Sequence, residues 1–172
     1  SDLTGCEDKT VRLWDIQTGQ CVRLLNGCPA GIYKVDIDPS GQYAVGADAV
    51  GTVHVWDLAT GKKVTELRSL RATNIPQLSA GSFSGQRKQN VEMIHSFAFS
   101  ACGRALATGG DDQFVRIWDI RKAISNPTPV FADPIRSFTT RRTVIMDLQY
   151  TKRNLLLSVG KHISAIPTAV VD

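Results

Sequence analysis

No apolar run in the 172 residues approaches the roughly 18 that a membrane-spanning helix requires. The opening stretch SDLTGCEDK also lacks the basic and apolar regions of a secretory leader, so no membrane partner is expected. Cysteine is scarce. Cys6, Cys21, Cys28 and Cys102 form no C-x-x-C pair and have no histidine at ligand spacing, which excludes the strong zinc patterns and leaves buried free thiols of a reducing compartment as the expectation. The triplet Asn126-Pro127-Thr128 carries proline in the position that forbids glycosylation. Catalytic signatures are missing too: there is no G-x-S-x-G, no phosphate-cradling G-x-x-x-x-G-K-[ST] and no supported Cys/His nucleophile pair. Two acidic stretches invite a closer look. TGGDDQF at 108–114 falls where a turn between strands is expected, and Asp36-Ile-Asp38-Pro-Ser-Gly41 lacks the glutamate that completes a calcium loop, with Ala47 in its place. Neither an enzyme nor a cofactor, metal or small-molecule substrate is expected; a binding scaffold is the default.

Charge is present but unevenly spread. Residues 1–133 balance fourteen Lys/Arg against fourteen Asp/Glu, whereas residues 134–172 hold Arg136, Arg141, Arg142, Lys152, Arg153 and Lys161 against Asp147 and Asp172. The whole excess of +4 therefore lies in the last 39 residues. Such a face is either simply solvated or meets an acidic partner.

Repetition is the dominant feature. TVRLWDIQTG at 10–19 returns as TVHVWDLATG at 52–61 and, more loosely, as QFVRIWDIRK at 113–122. In each copy Val11 and Leu13, Val53 and Val55, or Val115 and Ile117 alternate with polar residues and the Trp, a period of two that predicts a strand. Gly19 and Gly61 stand five residues past their Trp and predict tight turns into second strands at 21–25 and 63–67. Upstream, apolar triplets Ile32/Val35/Ile37, Ile94/Phe97/Phe99 and Ile145/Leu148/Tyr150 predict buried strands, each followed by a turn and then a pair of mostly small residues. Four antiparallel strands per repeat follow.

With Trp14-Asp15, Trp56-Asp57 and Trp118-Asp119 closing the third strand of successive repeats, the chain resembles the WD40-repeat family. The resemblance implies an all-β propeller, here partial. The expected divisions are the end of a blade at 1–25, a blade at 26–67, a blade with a loop insert (71–90) at 68–138, and the inner strands of a last blade with a tail at 139–172. That is about half of a ring of roughly seven blades, and with Ser1 where a start methionine would stand the chain reads as a fragment. The family's polar network of strand Thr, turn Asp and Trp is matched by Thr4, Asp8, Trp14 and by Thr108, Asp112, Trp118. The middle copy has Gly46 and Val50 at those places, and the family's loop His is absent from all three, with Cys28, Asn90 and Arg141 in its place. Packing of apolar faces is expected to carry more of the stability than this network.

The segment FTTRRTVIMDLQYTKRNLLLSVG at 138–160 is similar to the closing blade of the WD40-repeat TBP-associated factors, the propeller subunits of general transcription factor TFIID. This resemblance implies a nuclear, non-catalytic scaffold that docks TBP-associated factors, histone-fold subunits among them, with a helical dimerising region N-terminal to the propeller. The residues expected to share one partner-facing rim are Arg71, Arg87, Lys88, Arg141 and Arg142. A protein partner is favoured over nucleic acid, which usually wants a larger basic excess and stacking aromatics. The alternative is a substrate receptor of a cullin-RING ubiquitin ligase, attached through Arg121 in Trp118-Asp119-Ile120-Arg121, or a generic WD40 adaptor.

Overall fold

A computed structural model describes residues 2–68, 93–125 and 133–163. The insert at 71–90 lies outside the described residues, as does the chain after residue 163. Strands form where the period of two predicts them. β1 (Asp2–Gly5), β2 (Val11–Asp15) and β3 (Gln20–Leu25) make a first sheet. β4 (Ile32–Ile37), β5 (Tyr43–Asp48), β6 (Thr52–Asp57) and β7 (Lys63–Arg68) make a second, and β8 (Ile94–Phe99), β9 (Ala105–Gly110), β10 (Phe114–Asp119) and β11 (Arg136–Thr139) a third. β12 (Thr143–Tyr150) and β13 (Leu156–His162) pair as a fourth. All neighbours run antiparallel, and the three Trp-bearing strands share one register: Thr4 faces Arg12, Gly46 faces His54 and Thr108 faces Arg116.

The central strands β5, β6, β9 and β10 are buried on both faces, so no sheet can bury its surface alone. The outcome is three cores, each between two adjacent sheets. Val11 and Leu13 pack forward against Ile32, Ala44 and Trp56 of the second sheet. Val53 and Val55 pack forward against Phe97, Leu106 and Trp118 of the third, and Val115 and Ile117 against Ile145 and Leu148 of the fourth. The tryptophans point the other way, into the preceding sheet: Trp56 and Trp118 are 0% and 1% exposed. Trp14, with no described sheet before it, is only half-buried.

The Asp of each Trp-Asp pair organises the turn that follows. Asp15 Oδ1 accepts from the Gln17 amide (2.8 Å) and Asp57 Oδ1 from the Thr60 amide (2.9 Å), and Gly19 and Gly61 close these turns with φ of 68° and 72°. In the third copy Ala123 stands where glycine would be. The chain cannot make the same left-handed closure there and continues instead into α1 (Ile120–Ser125), with Asp119 Oδ1 accepting from the Lys122 amide at 3.1 Å as its N-cap. Ile120 and Ala123 are buried in the core shared by the second and third sheets. The thiol expectation needs correcting. Cys21 and Cys102 are exposed, because one lies on the outermost strand β3 and the other in the β8–β9 turn, and only Cys6 and Cys28 are partly covered.

The turns entering the Trp strands place Lys9, Gly51 and Gln113, equivalent residues, at φ of 69°, 78° and 62°. Only glycine adopts this region without steric cost. Lys9→Gly is therefore expected to stabilise the full-length protein by roughly 0.5 kcal/mol, strain relieved less chain entropy lost. Gly51→Ala should destabilise it by about 1 kcal/mol. Urea-unfolding midpoints check both; an unstable Lys9→Gly variant would contradict the shared turn geometry.

Candidate partner-binding face

Antiparallel order sends the β1–β2, β3–β4, β5–β6, β9–β10 and β11–β12 connections to one rim of the stack and the β2–β3, β4–β5, β6–β7, β8–β9 and β12–β13 turns to the other. Along this first rim one backbone hydrogen bond joins two sheets and another extends the β10–β11 pairing of the third sheet. The Ile32 amide donates to the Cys6 carbonyl (3.0 Å), and the Thr140 amide donates to the Gln113 carbonyl (2.9 Å), with the Thr140 hydroxyl also 2.9 Å from that oxygen. Thr140 thus anchors the turn that displays Arg141 and Arg142, both exposed and both left-handed, with φ of 41° and 61°. Two consecutive non-glycine residues in this region carry backbone strain that glycine would not. Arg71, Arg87 and Lys88 lie outside the described residues; Arg68 and Met93, which flank their segment, stand on the same rim. Arg121 is exposed on α1, at the opposite rim, and is not brought together with the others.

Beneath the first rim each of the three Trp-bearing sheets pairs an aspartate with the residue two before its Trp, from the solvent-open Asp8–Arg12 to the fully buried Asp48–His54. Asp8 accepts from Thr10 and from Arg12 (2.5 Å), which hold its carboxyl well below the usual range. Asp112 pairs with Arg116. Trp14 and Trp118 donate their indole N–H to Thr4 (2.8 Å) and Thr108 (2.9 Å). The middle sheet reaches the same end with other residues. A side chain at Gly46 would stand 3.1 Å from the Trp56 ring, so Trp56 settles over bare backbone and donates to the Asn26 carbonyl (3.0 Å). The arginine's place is taken by His54, 0% exposed, with Nε2 2.9 Å from Asp48 Oδ2 and Nδ1 3.3 Å from Glu66 Oε1. Burial alone would raise Glu66, but Lys63 at 2.5 Å and then His54 override it and lower its carboxyl below the ordinary value. Sequence reasoning looked for the acid at Val50 and missed Asp48 two residues earlier; the signal was a histidine standing where the other two copies have arginine.

A second polar tie runs along the inner strands. Ser96 Oγ, fully buried on β8, accepts from Lys34 Nζ of β4 (2.9 Å) and the Leu148 amide (3.0 Å), and donates to Asp147 Oδ1 of β12 (2.9 Å). Lys34 Nζ also lies 3.6 Å from Asp147 and 5.7 Å from the centre of the Phe97 ring. The Ser96 hydrogen bond, more than Lys34, lowers the Asp147 carboxyl. His95 on β8 binds Asp111 Oδ1 (2.7 Å) and is a rim residue. Asp38 of the acidic DPSG turn receives the Ser40, Gln42 and Tyr43 amides and the Ser40 hydroxyl, which leaves no vacancy for a cation. Among the described residues no group of His, Cys, Asp and Glu is arranged to hold a metal.

Four stacked antiparallel sheets, three of them in one shared register and closed by Trp-Asp, are blades of a partial β-propeller. The chain belongs to the WD40 family: the WD domain, G-beta repeat profile matches residues 3–15, 19–57 and 79–119. Among curated relatives, Transcription initiation factor TFIID subunit 5 of Caenorhabditis elegans is 29% identical over 160 residues, covering 91% of this chain and 23% of its own length. Nuclear distribution protein PAC1 of Arthroderma otae is 26% identical over 122 residues (69% of this chain, 26% of its own). Pre-mRNA-processing factor 19 of Caenorhabditis elegans is 27% identical over 144 residues (69% and 29%). The chain thus spans under a third of the length of these relatives. Their printed names describe different assemblies, so the shared fold does not by itself select one.

Breaking the middle pair should be costly because it strands a buried imidazole. Asp48→Ala is expected to lose about 3 kcal/mol, and Asp8→Ala, whose pair is open to solvent, distinctly less. Glu66 adds a pH dependence: its folded pKa is depressed, so its contribution is present above its unfolded value of about 4.3 and lost as pH falls through the folded one. Urea titrations between pH 3 and 7 should show Glu66→Gln flattening the acid limb; equal acid sensitivity in variant and parent would refute this assignment.

Proposed function

We propose that this chain belongs to a non-catalytic scaffold subunit of a nuclear transcription-initiation complex of the TFIID kind, whose first rim docks other TBP-associated factors, histone-fold subunits included. The observation that carries this reading is coverage. Similarity to the TFIID subunit 5 relative runs over 91% of the chain, against 68% and 69% for the Arabidopsis thaliana DENN domain and WD repeat-containing protein SCD1 and the Arthroderma otae relative. The longer alignment must draw on residues outside the parts that generic WD repeats share. Geometry supports a protein contact at Arg141 and Arg142. Neither guanidinium has an ion-pair partner among the described residues, while Asp8, Asp48, Asp111 and Asp112 on the same side are all engaged. Nucleic acid is the weaker fit, because Tyr150 is half-buried against the third core and Phe138 is left as the nearby exposed aromatic.

The test uses the full-length protein. Arg141→Glu with Arg142→Glu should weaken co-purification of histone-fold TBP-associated factors while leaving stability within about 0.5 kcal/mol. Arg121→Asp, on the other rim, should leave that recovery unchanged. Unchanged partner recovery with lost DNA binding in the double variant would move the rim to the nucleic-acid class, and loss of partners on Arg121→Asp would favour the opposite rim.

A further inference from the structure

The alanine that stands where glycine would close the third turn has a product on the rim away from Arg141 and Arg142. Helix α1 puts Arg121 and Ile124 one turn apart, so both fall on one face. That face meets the β4–β5 turn of the second sheet. Between them lies a groove of about 230 Å3, lined by Ile120, Arg121 and Ile124 on one side and by Asp38, Gln42 and Tyr43 on the other. Its apolar part is anchored, since Ile120 is 1% exposed and Tyr43 and Ile124 pack against the core shared by the second and third sheets. Both walls are also held by backbone. The Ile120 amide donates to the Arg104 carbonyl (3.0 Å), and the Leu58 amide donates to the Gln42 carbonyl (2.8 Å). A second hollow adjoins the groove at Gln42 and Tyr43, with Asp57 and Leu58 in its wall.

We infer that this groove takes an extended protein segment whose acidic side chain binds Arg121, whose neighbouring apolar side chain lies on Ile124 and Tyr43, and whose far end runs past Leu58 toward Asp57. Charge selects the occupant. Arg121 has no ion-pair partner among the described residues. The acids around it are engaged: Asp38 receives the Ser40, Gln42 and Tyr43 amides, and Asp119 caps α1 and binds Arg104. A free guanidinium beside an apolar wall is a forked donor for a single carboxylate. A phosphate with nearly two charges, or a run of phosphates, fits poorly, because it would also meet the carboxylates of Asp38 and Asp57. The groove uses neither the first rim nor the identity of the complex, so it stands or falls apart from the scaffold reading.

The experiment uses the full-length protein and a fluorescein-labelled octapeptide of glycine, serine, glutamate, leucine, leucine, lysine, serine and glycine, together with the same peptide in reverse order, followed by anisotropy. At least one order should bind. Arg121→Ala should weaken that binding roughly tenfold or more at unchanged melting temperature, with Arg121→Lys between variant and parent. Changing the peptide's glutamate to glutamine should cost as much in the parent and nothing further in Arg121→Ala, which a merely structural arginine would not produce. Replacing the peptide's leucines by alanine should also weaken binding, whereas Arg141→Ala with Arg142→Ala should leave it unchanged. Undiminished affinity in Arg121→Ala, no binding of either peptide, tighter binding when phosphoserine replaces the glutamate, or displacement by a single-stranded oligonucleotide would each overturn the inference. If Arg121→Ala releases a ubiquitin-ligase adaptor and leaves the peptide bound, Arg121 returns to the ligase reading. TBP-associated factors should stay with Arg121→Ala throughout; their absence from the parent would sink the scaffold reading and leave the groove standing.

Discussion

Everything in this structure depends on central strands, β5, β6, β9 and β10, whose two faces are both covered. A sheet built from them has no solvent-ready face, so its stability is held jointly with its neighbours. Hydrophobic burial scales with the area removed from water, and here that area exists only between sheets. The tryptophans express this most sharply, since each large ring is inserted backward into the preceding sheet while the valines of the same strand pack forward. Burying an indole also obliges its N–H to find an acceptor. Thr108 supplies one inside its own sheet, whereas Trp56 takes the Asn26 carbonyl at the end of the sheet before. The polar satisfaction of one blade can thus be lent by another.

Much of the fold was legible because its causes are local. Alternation of Val11, Leu13 and Trp14 fixes a two-sided strand, and glycine five residues later fixes the turn. What escaped sequence reading was set by relations between residues distant in the chain. Ala123 in place of glycine is a visible departure, yet that the chain would answer it with a helix depended on the room left by Leu67 and Val55 of the neighbouring sheet. The pairing of Asp48 with His54 could not be found by aligning copies, because the acid has moved two positions while its partner has kept its place. The insert cations Arg71, Arg87 and Lys88 lie outside the described residues, so of the five expected on one face the structure places Arg141 and Arg142 there. On the inner strands the triplets Ile32/Val35/Ile37, Ile94/Phe97/Phe99 and Ile145/Leu148/Tyr150 step by three and then by two, and in each the longer step holds the one residue that the strand pairing skips.

Function in this family resides in what the rims display, and the two rims here have been built under different constraints. On the first, the Ile32 amide reaches the β1–β2 turn of the sheet before, and Thr140 fixes the turn carrying Arg141 and Arg142 against Gln113. On the other, Asp15 and Asp57 organise turns within their own blades, α1 replaces the third such turn, and the Ala101 amide donates to Asn154 of the next sheet at 3.3 Å. A rigid display suits recognition that needs several simultaneous contacts.

The tie from Lys34 through Ser96 to Asp147 has a consequence for how the stack comes apart. Repeat arrays are usually described as a row of units coupled to immediate neighbours, so that a break at one junction leaves the rest unaffected. Lys34 lies on the second sheet and Asp147 on the fourth, 3.6 Å apart, and the contact passes over the third. That adds coupling between next-nearest neighbours. Detaching the fourth sheet then disturbs the second as well as the third, and fraying from that end meets a cooperative unit of three blades instead of one.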